Sequence, residues 1–196
     1  MTGVRVLRAA GRPAVPWKNG GGVTREIAAL PEDAGTDGFD WRVSLADVHR
    51  DGPFSAFPGT ERVLTVVDGA GMDLDAGGRR LRAAPYAPCP FPGDVPTYGR
   101  LLAGPVVNLN VMHRRGAVAA DVTVVRGGYA VAVPADATVL VVALDGPARA
   151  AGAELGRYDA VLCPAGRAEV RTEGYAAVVT LRRTGGAGRV IVPRPS

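Results

Sequence analysis

Glutamine is absent from the 196 residues, lysine occurs only as Lys18, and asparagine only as Asn19, Asn108 and Asn110. The 23 Lys plus Arg are therefore almost all arginine. This bias, with its excess of Ala, Gly, Arg, Pro and Val, fits GC-rich coding, which disfavours Lys, Asn and Ile codons. A lysine or asparagine kept against it points to work that Arg or Asp cannot do. Lysine is a compact, titratable point charge, and asparagine offers donor and acceptor without charge. Cysteine is scarce too. Cys89 and Cys163 lie far apart, each before a proline, with no zinc spacing. Free thiols in a reducing compartment are expected. No apolar run approaches the roughly 18 residues of a membrane helix, and the opening residues lack the apolar core of a signal peptide. A soluble, cytoplasmic chain with no membrane partner is the expectation. The formal charge of +4 is scattered, its tightest groups being pairs such as Arg79-Arg80, Arg114-Arg115 and Arg182-Arg183. Nucleic-acid binders concentrate charge on one face, so no nucleic-acid partner is expected. No Gly-x-Ser-x-Gly elbow is present, and neither cysteine has an evident histidine partner, so nucleophilic catalysis finds no support.

What is present is a turn-rich chain of strands. Glycine (27) and proline (16) punctuate many short runs with a period of two. Residues 4–8, 23–27, 41–45, 62–67, 72–75, 79–82 and 106–113 read as strands, with a short helical turn expected near 51–57. In the second half, residues 122–126, 129–134, 138–144, 160–163 and 175–182 read the same way, and 190–192 as a last edge strand. Asp68-Gly69 and Ala76-Gly77-Gly78 are hairpin turns. The alternation places Arg42, Ser44 and Ala46 opposite Trp41, Val43 and Leu45, and Asn108, Asn110 and Met112 opposite Val107, Leu109 and Val111. Such spacing argues for an all-β sandwich or barrel. The break falls near Arg115-Gly116-Ala117, dividing the chain into an N-terminal barrel (1–116) and a C-terminal one (117–196).

Three segments carry the site. In residues 16–26, the run Gly20-Gly21-Gly22 lets a ligand approach the main chain, and its amides are candidates for an anion-binding nest beside Lys18. The lysine precedes the glycines, so this is no P-loop. Arg42 and Ser44 suit a lumen that receives a carboxylate, which arginine binds with two prongs. Phe54 and Phe57, in residues 51–62, read as core or pocket wall.

Residues 155–166, a Gly-x-x-Asp turn, an apolar strand and Pro-x-Gly, resemble the second cupin motif. Metal-dependent cupins hold their ion with a histidine-rich set. This chain has only His49 and His113, and Glu169 stands where the motif would carry its histidine. No metal or other cofactor is expected.

Taken together, Pro16-Trp17-Lys18-Asn19-Gly20-Gly21-Gly22-Val23-Thr24-Arg25-Glu26-Ile27, Trp41-Arg42-Val43-Ser44-Leu45-Ala46, Asp51-Gly52-Pro53-Phe54-Ser55, Phe57-Pro58-Gly59 and Asn108-Leu109-Asn110-Val111-Met112 resemble the signature of the HutD/Ves family. The resemblance spans residues 4–183. It implies an all-β bicupin, two tandem jelly-roll barrels, associated with bacterial histidine utilisation. It also implies a role in binding a pathway intermediate, such as N-formylglutamate or urocanate, and no assigned catalytic activity. Carried over by motif, the pocket comprises Lys18, Asn19, Gly20, Gly21, Thr24, Glu26, Arg42, Ser44, Asp94 and Asn110. Asn108 departs from the family, where aspartate is common. Two functions follow. One is a metal-free binding protein for an anionic metabolite, with Lys18 and Arg42 neutralising its carboxylate. The other is a metal-independent isomerase, epimerase or lyase using Lys18 as base with Glu26 or Asp94. The second barrel, poor in polar lumen residues, supports the first or forms a dimer surface; a homodimer is left open.

Overall fold

The computed structural model describes residues 4–184 apart from 33, 36 and 37. The edge strand expected at 190–192 lies outside these residues. Among the described residues there is no helix, and every regular element is a strand. Near 51–57 the chain forms a short strand, β5 (Gly52–Phe54), where a helical turn was expected. Pro53 fixes the extended conformation of its neighbour, and Thr97, Tyr98 and Gly99 pair with it.

Two sheets build the first half. One is six-stranded, in the order β2 (Val15–Pro16), β3 (Gly22–Leu30), β4 (Trp41–Val48), β11 (Val106–Arg114), β6 (Thr60–Asp68) and β9 (Cys89–Pro92). The other runs β5, β10 (Thr97–Leu101), β7 (Met72–Ala76) and β8 (Arg79–Ala83). Leu64, Val66, Phe91 and Val106 of the first meet Met72, Leu74 and Ala83 of the second in one core.

The second half is one folded sheet, β1 (Arg5–Leu7), β16 (Ala160–Cys163), β13 (Ala137–Ala143), β17 (Gly166–Arg183), β14 (Ala148–Ala150) and β15 (Ala153–Leu155), with β12 (Val118–Val133) along β17. Where two strands were expected, β12 runs through Gly127. A bulge there, with Gly127 at φ 73°, shifts the register and keeps the strand paired. The first strand departs from the expected division at 116. β1 pairs with β16, Arg5 opposite Leu162. Asp159 then fastens it, accepting from Ala9 N–H at 2.6 Å and Arg8 at 2.7 Å. Three residues are too few to reveal by periodicity which sheet they join.

The strand alternation sorts side chains between two cores. Trp41, Val43, Leu45, Leu109 and Val111 leave the first barrel and pack against Leu140, Val142, Leu144, Val179 and Leu181 of the second. The two halves thus share an apolar seam. The opposite face of β4 and β11 is left to line the first barrel.

Candidate functional site

That inner face sets polar side chains among apolar ones, and its register puts them in rows. Thr24, Ala46, Asn108 and Val66 form one row across β3, β4, β11 and β6. Glu26, Ser44, Asn110 and Leu64 form the next. Arg42, Met112, Arg62 and Phe91 form a third, ending on β9. A register shift between Glu26 and Ala28 lets Ile27 and Ala28 pack on the seam side while Glu26 stays on the lumen row.

Arg62 is the unusual member. It is 4% exposed and has no acidic partner among the described residues. Its guanidinium lies 5.3, 5.6 and 5.1 Å from the ring centres of Phe54, Phe57 and Phe91. Cation–π contact offsets part of the lost hydration. Its hydrogen bonds are long: Nε and Nη2 each reach Asn110 Oδ1 at 3.4 Å, and Nη1 the Ser55 carbonyl at 3.4 Å. Burial pushes its pKa down to about 10, still charged at neutral pH. Arg42, by contrast, donates from Nε to Glu26 Oε2 at 2.6 Å. Ser44 Oγ and both amide atoms of Asn108 are buried without a partner. A buried polar atom left unpaired costs about 1–3 kcal/mol, so this lumen holds unspent hydrogen-bonding capacity. Trp17 closes the wall, its indole N–H donating to Thr24 Oγ1 at 2.8 Å and its ring edge-on to Phe54 at 5.7 Å.

Of the residues expected in the pocket, Thr24, Glu26, Arg42, Ser44 and Asn110 come together on this face, with Asn108 beside them. The others stand apart. Lys18 is exposed on the turn between β2 and β3. Asn19 serves the turn itself: Oδ1 accepts from Gly21 N–H at 2.9 Å and Nδ2 donates to the Pro53 carbonyl at 3.4 Å. Gly20 N–H donates to the Trp17 carbonyl at 2.9 Å. The Gly20 and Gly21 amides are thus spent within the turn and are not free for the expected anion nest. Gly22 has a packing reason instead, since a Cβ there would meet the Asp47 carbonyl at 2.3 Å and the Trp17 ring at 3.3 Å. Asp94 lies on the surface, 3.1 Å from Arg115, whose hydrogen bond holds its carboxyl below the usual range. Of the groups offered for proton transfer, Lys18 with Glu26 or Asp94, Lys18 is thus exposed on its turn, Glu26 is paired with Arg42 and Asp94 with Arg115.

Arg62 was not singled out from sequence. Its signal was present, because it shares alternation with Leu64 and Val66, but only the pairing of β6 with β11 sets that face beside Asn110. Among the described residues no three His, Cys, Asp or Glu side chains gather as a metal-holding group. His113 lies on the face opposite Asn108 and Asn110, Nδ1 2.6 Å from the Val118 carbonyl. A shallow groove of about 670 Å³ crosses β12, β14 and β17, lined by exposed Arg149, Glu154, Glu169 and Arg171. No helix among the described residues is long and apolar enough to cross a membrane.

Two joined all-β units with the polar face of one turned inward define a cupin-type protein. A cupin 2 conserved barrel protein from Leptotrichia buccalis shares that fold, with a TM-score of 0.54 over 90% of this chain and 99% of its own at 10% identity. The HutD family model matches residues 9–180, and the chain belongs to the HutD family. The structure of HutD from Pseudomonas fluorescens SBW25 superposes with a TM-score of 0.83 at 34% identity, covering 93% of this chain and all of that one. An uncharacterised 21.2 kDa protein of Pseudomonas putida, encoded in the hutC 3′ region, is 40% identical over 114 residues, 58% of this chain and 60% of that protein. Protein Ves of Citrobacter koseri is 37% identical over 114 residues, 57% of this chain and 59% of its own. The match thus spans about three fifths of these curated relatives. The family is linked to the histidine-utilisation gene region.

Proposed function

We propose that the chain binds an anionic, carboxylate-bearing metabolite in the first barrel, without a metal, and that this binding modulates histidine utilisation. N-formylglutamate and urocanate are the candidate ligands. The observation that carries the reading is Arg62, a buried cation with long, replaceable hydrogen bonds and no counter-charge among the described residues. Arg42 is neutralised by Glu26, so one positive charge in the lumen is left to be matched. A ligand carboxylate matches it with charge-assisted bonds. The aromatic wall and the few convergent polar groups fit how small-molecule sites are built.

The test is a thermal-shift screen with histidine, urocanate, imidazolone propionate, formiminoglutamate, N-formylglutamate and glutamate, with and without EDTA. A ligand at about 100 times its Kd adds roughly 2.7 kcal/mol, several degrees in Tm. The expected result is a selective shift that survives EDTA and vanishes in Arg62→Met. No shift with any compound, or an equal shift in the variant, contradicts the reading.

A further inference from the structure

Glu26 carries more information than its pairing with Arg42. A carboxylate only accepts hydrogen bonds. Oε2 is taken by Arg42 Nε at 2.6 Å. Oε1 has no hydrogen-bond partner among the described residues, although Glu26 lies in the lumen row directly opposite the buried Ser44. The side chain is 39% exposed, so water satisfies this oxygen until a ligand covers it. The other charged groups on this face, Arg42 and Arg62, are donors only. A ligand that offered nothing but acceptors would satisfy both arginines and leave Oε1 unmatched.

Glu26 and Asn110, the acceptor for Arg62, occupy the same row with β4 between their strands. Two strand spacings separate their Cα positions by roughly 10 Å, and the side chains shorten the gap. A ligand whose carboxylate sits at Arg62 can therefore present a second group to Glu26.

We propose that Glu26 is a specificity-determining residue: its free oxygen selects carboxylates that also carry an amide or azole N–H donor. This rests on the reading of the lumen as a carboxylate site. A site built to bond an N–H discriminates strongly against an analogue that lacks it, because its own polar atom is left unpaired. Replacement by glutamine sharpens the point. Arg42 Nε still requires the amide oxygen, so the free position becomes –NH2, a donor facing a donor.

The experiment is an NMR titration with two matched series. One consists of N-acetylglycine, N-acetyl-β-alanine and N-acetyl-4-aminobutyrate. The other replaces each N–H by CH2: 4-oxopentanoate, 5-oxohexanoate and 6-oxoheptanoate. The wild-type chain is expected to bind the best amide about tenfold or more tighter than its oxo counterpart. In Glu26→Gln that preference disappears, while both series gain affinity together because Arg42 loses its counter-charge. Equal affinities in the wild type overturn the proposal whether or not the variant folds, and so does a preference that survives in Glu26→Gln. If both series fail while another carboxylate binds, the selection is wrong and the carboxylate site stands. If no carboxylate binds at all, the underlying reading fails first.

Discussion

The two halves of this chain are made of the same strands and both bury an apolar core, but the first also sets arginine and amide side chains on its inner face. The second interior is aliphatic: Val131, Val133, Val139, Val141, Val161, Val170 and Val178 pack with small alanines. The first keeps Arg42, Arg62, Ser44, Asn108 and Asn110 on its inner face, several of them poorly satisfied. A buried cation without a partner is expensive for the fold, and a packed valine core is not. The aliphatic second half and the seam between the halves supply stability against that cost.

The comparison breaks most visibly if a charge is moved across it. Val141→Arg puts an unpaired cation into the aliphatic interior, and a loss of about 4 kcal/mol or more is expected. Thermal unfolding followed by circular dichroism should show no cooperative folded state. A Tm within a few degrees of wild type would mean that the two interiors do not differ as described.

Next in size is the tie between the first strand and the second sheet. Asp159→Ala strands the Ala9 and Gly156 amides and frees Arg8, for an expected loss of about 2–3 kcal/mol in denaturant melts. Burial alone would raise the Asp159 pKa, but the hydrogen bonds from Ala9, Arg8 and Gly156 outweigh it and the net shift is downward. Its contribution is therefore present above the unfolded value of about 3.9 and is lost as pH falls through the lower folded value. The gap between wild type and variant should narrow below about pH 4.

A smaller change of opposite sign is expected at the site. Arg62→Met replaces an unpaired buried cation by an apolar side chain, which is often neutral to stabilising. Stability should rise by about 1 kcal/mol while carboxylate affinity, read by calorimetry, falls more than tenfold. A loss of stability would show that Arg62 is structural. Smallest of all, Lys18→Ala should change stability by less than about 0.5 kcal/mol and leave carboxylate affinity nearly unchanged. A tenfold loss there would return the turn lysine to the pocket.

Much of this division was legible before any coordinates. Period-two alternation set Arg42 and Ser44 against Trp41 and Val43, and Asn108 and Asn110 against Leu109, and both sortings are seen between lumen and seam. The all-β fold was legible in the same alternation, and the family in the resemblance of its motifs. Pairing between distant strands was not. Arg62 looked like the start of a β-branched run, and only its place opposite Met112 on β11 and Phe91 on β9 makes it part of the site. Rarity did not show where Lys18 and Asn19 would lie: Asn19 spends its amide on turn geometry and Lys18 is exposed on that turn. Nor does a sequence show that exposed Asp94 pairs with Arg115, 21 residues on.

The central claim is that Arg62 receives a ligand carboxylate inside the first barrel. A crystal structure with the tightest-binding carboxylate of the screen tests it most directly. The account predicts the carboxylate within about 2.7–3.2 Å of the Arg62 guanidinium nitrogens, replacing their long bonds to Asn110 and Ser55. A carboxylate bound elsewhere, such as at Arg149 and Arg171 in the groove of the second half, with Arg62 still turned to Asn110, would contradict it.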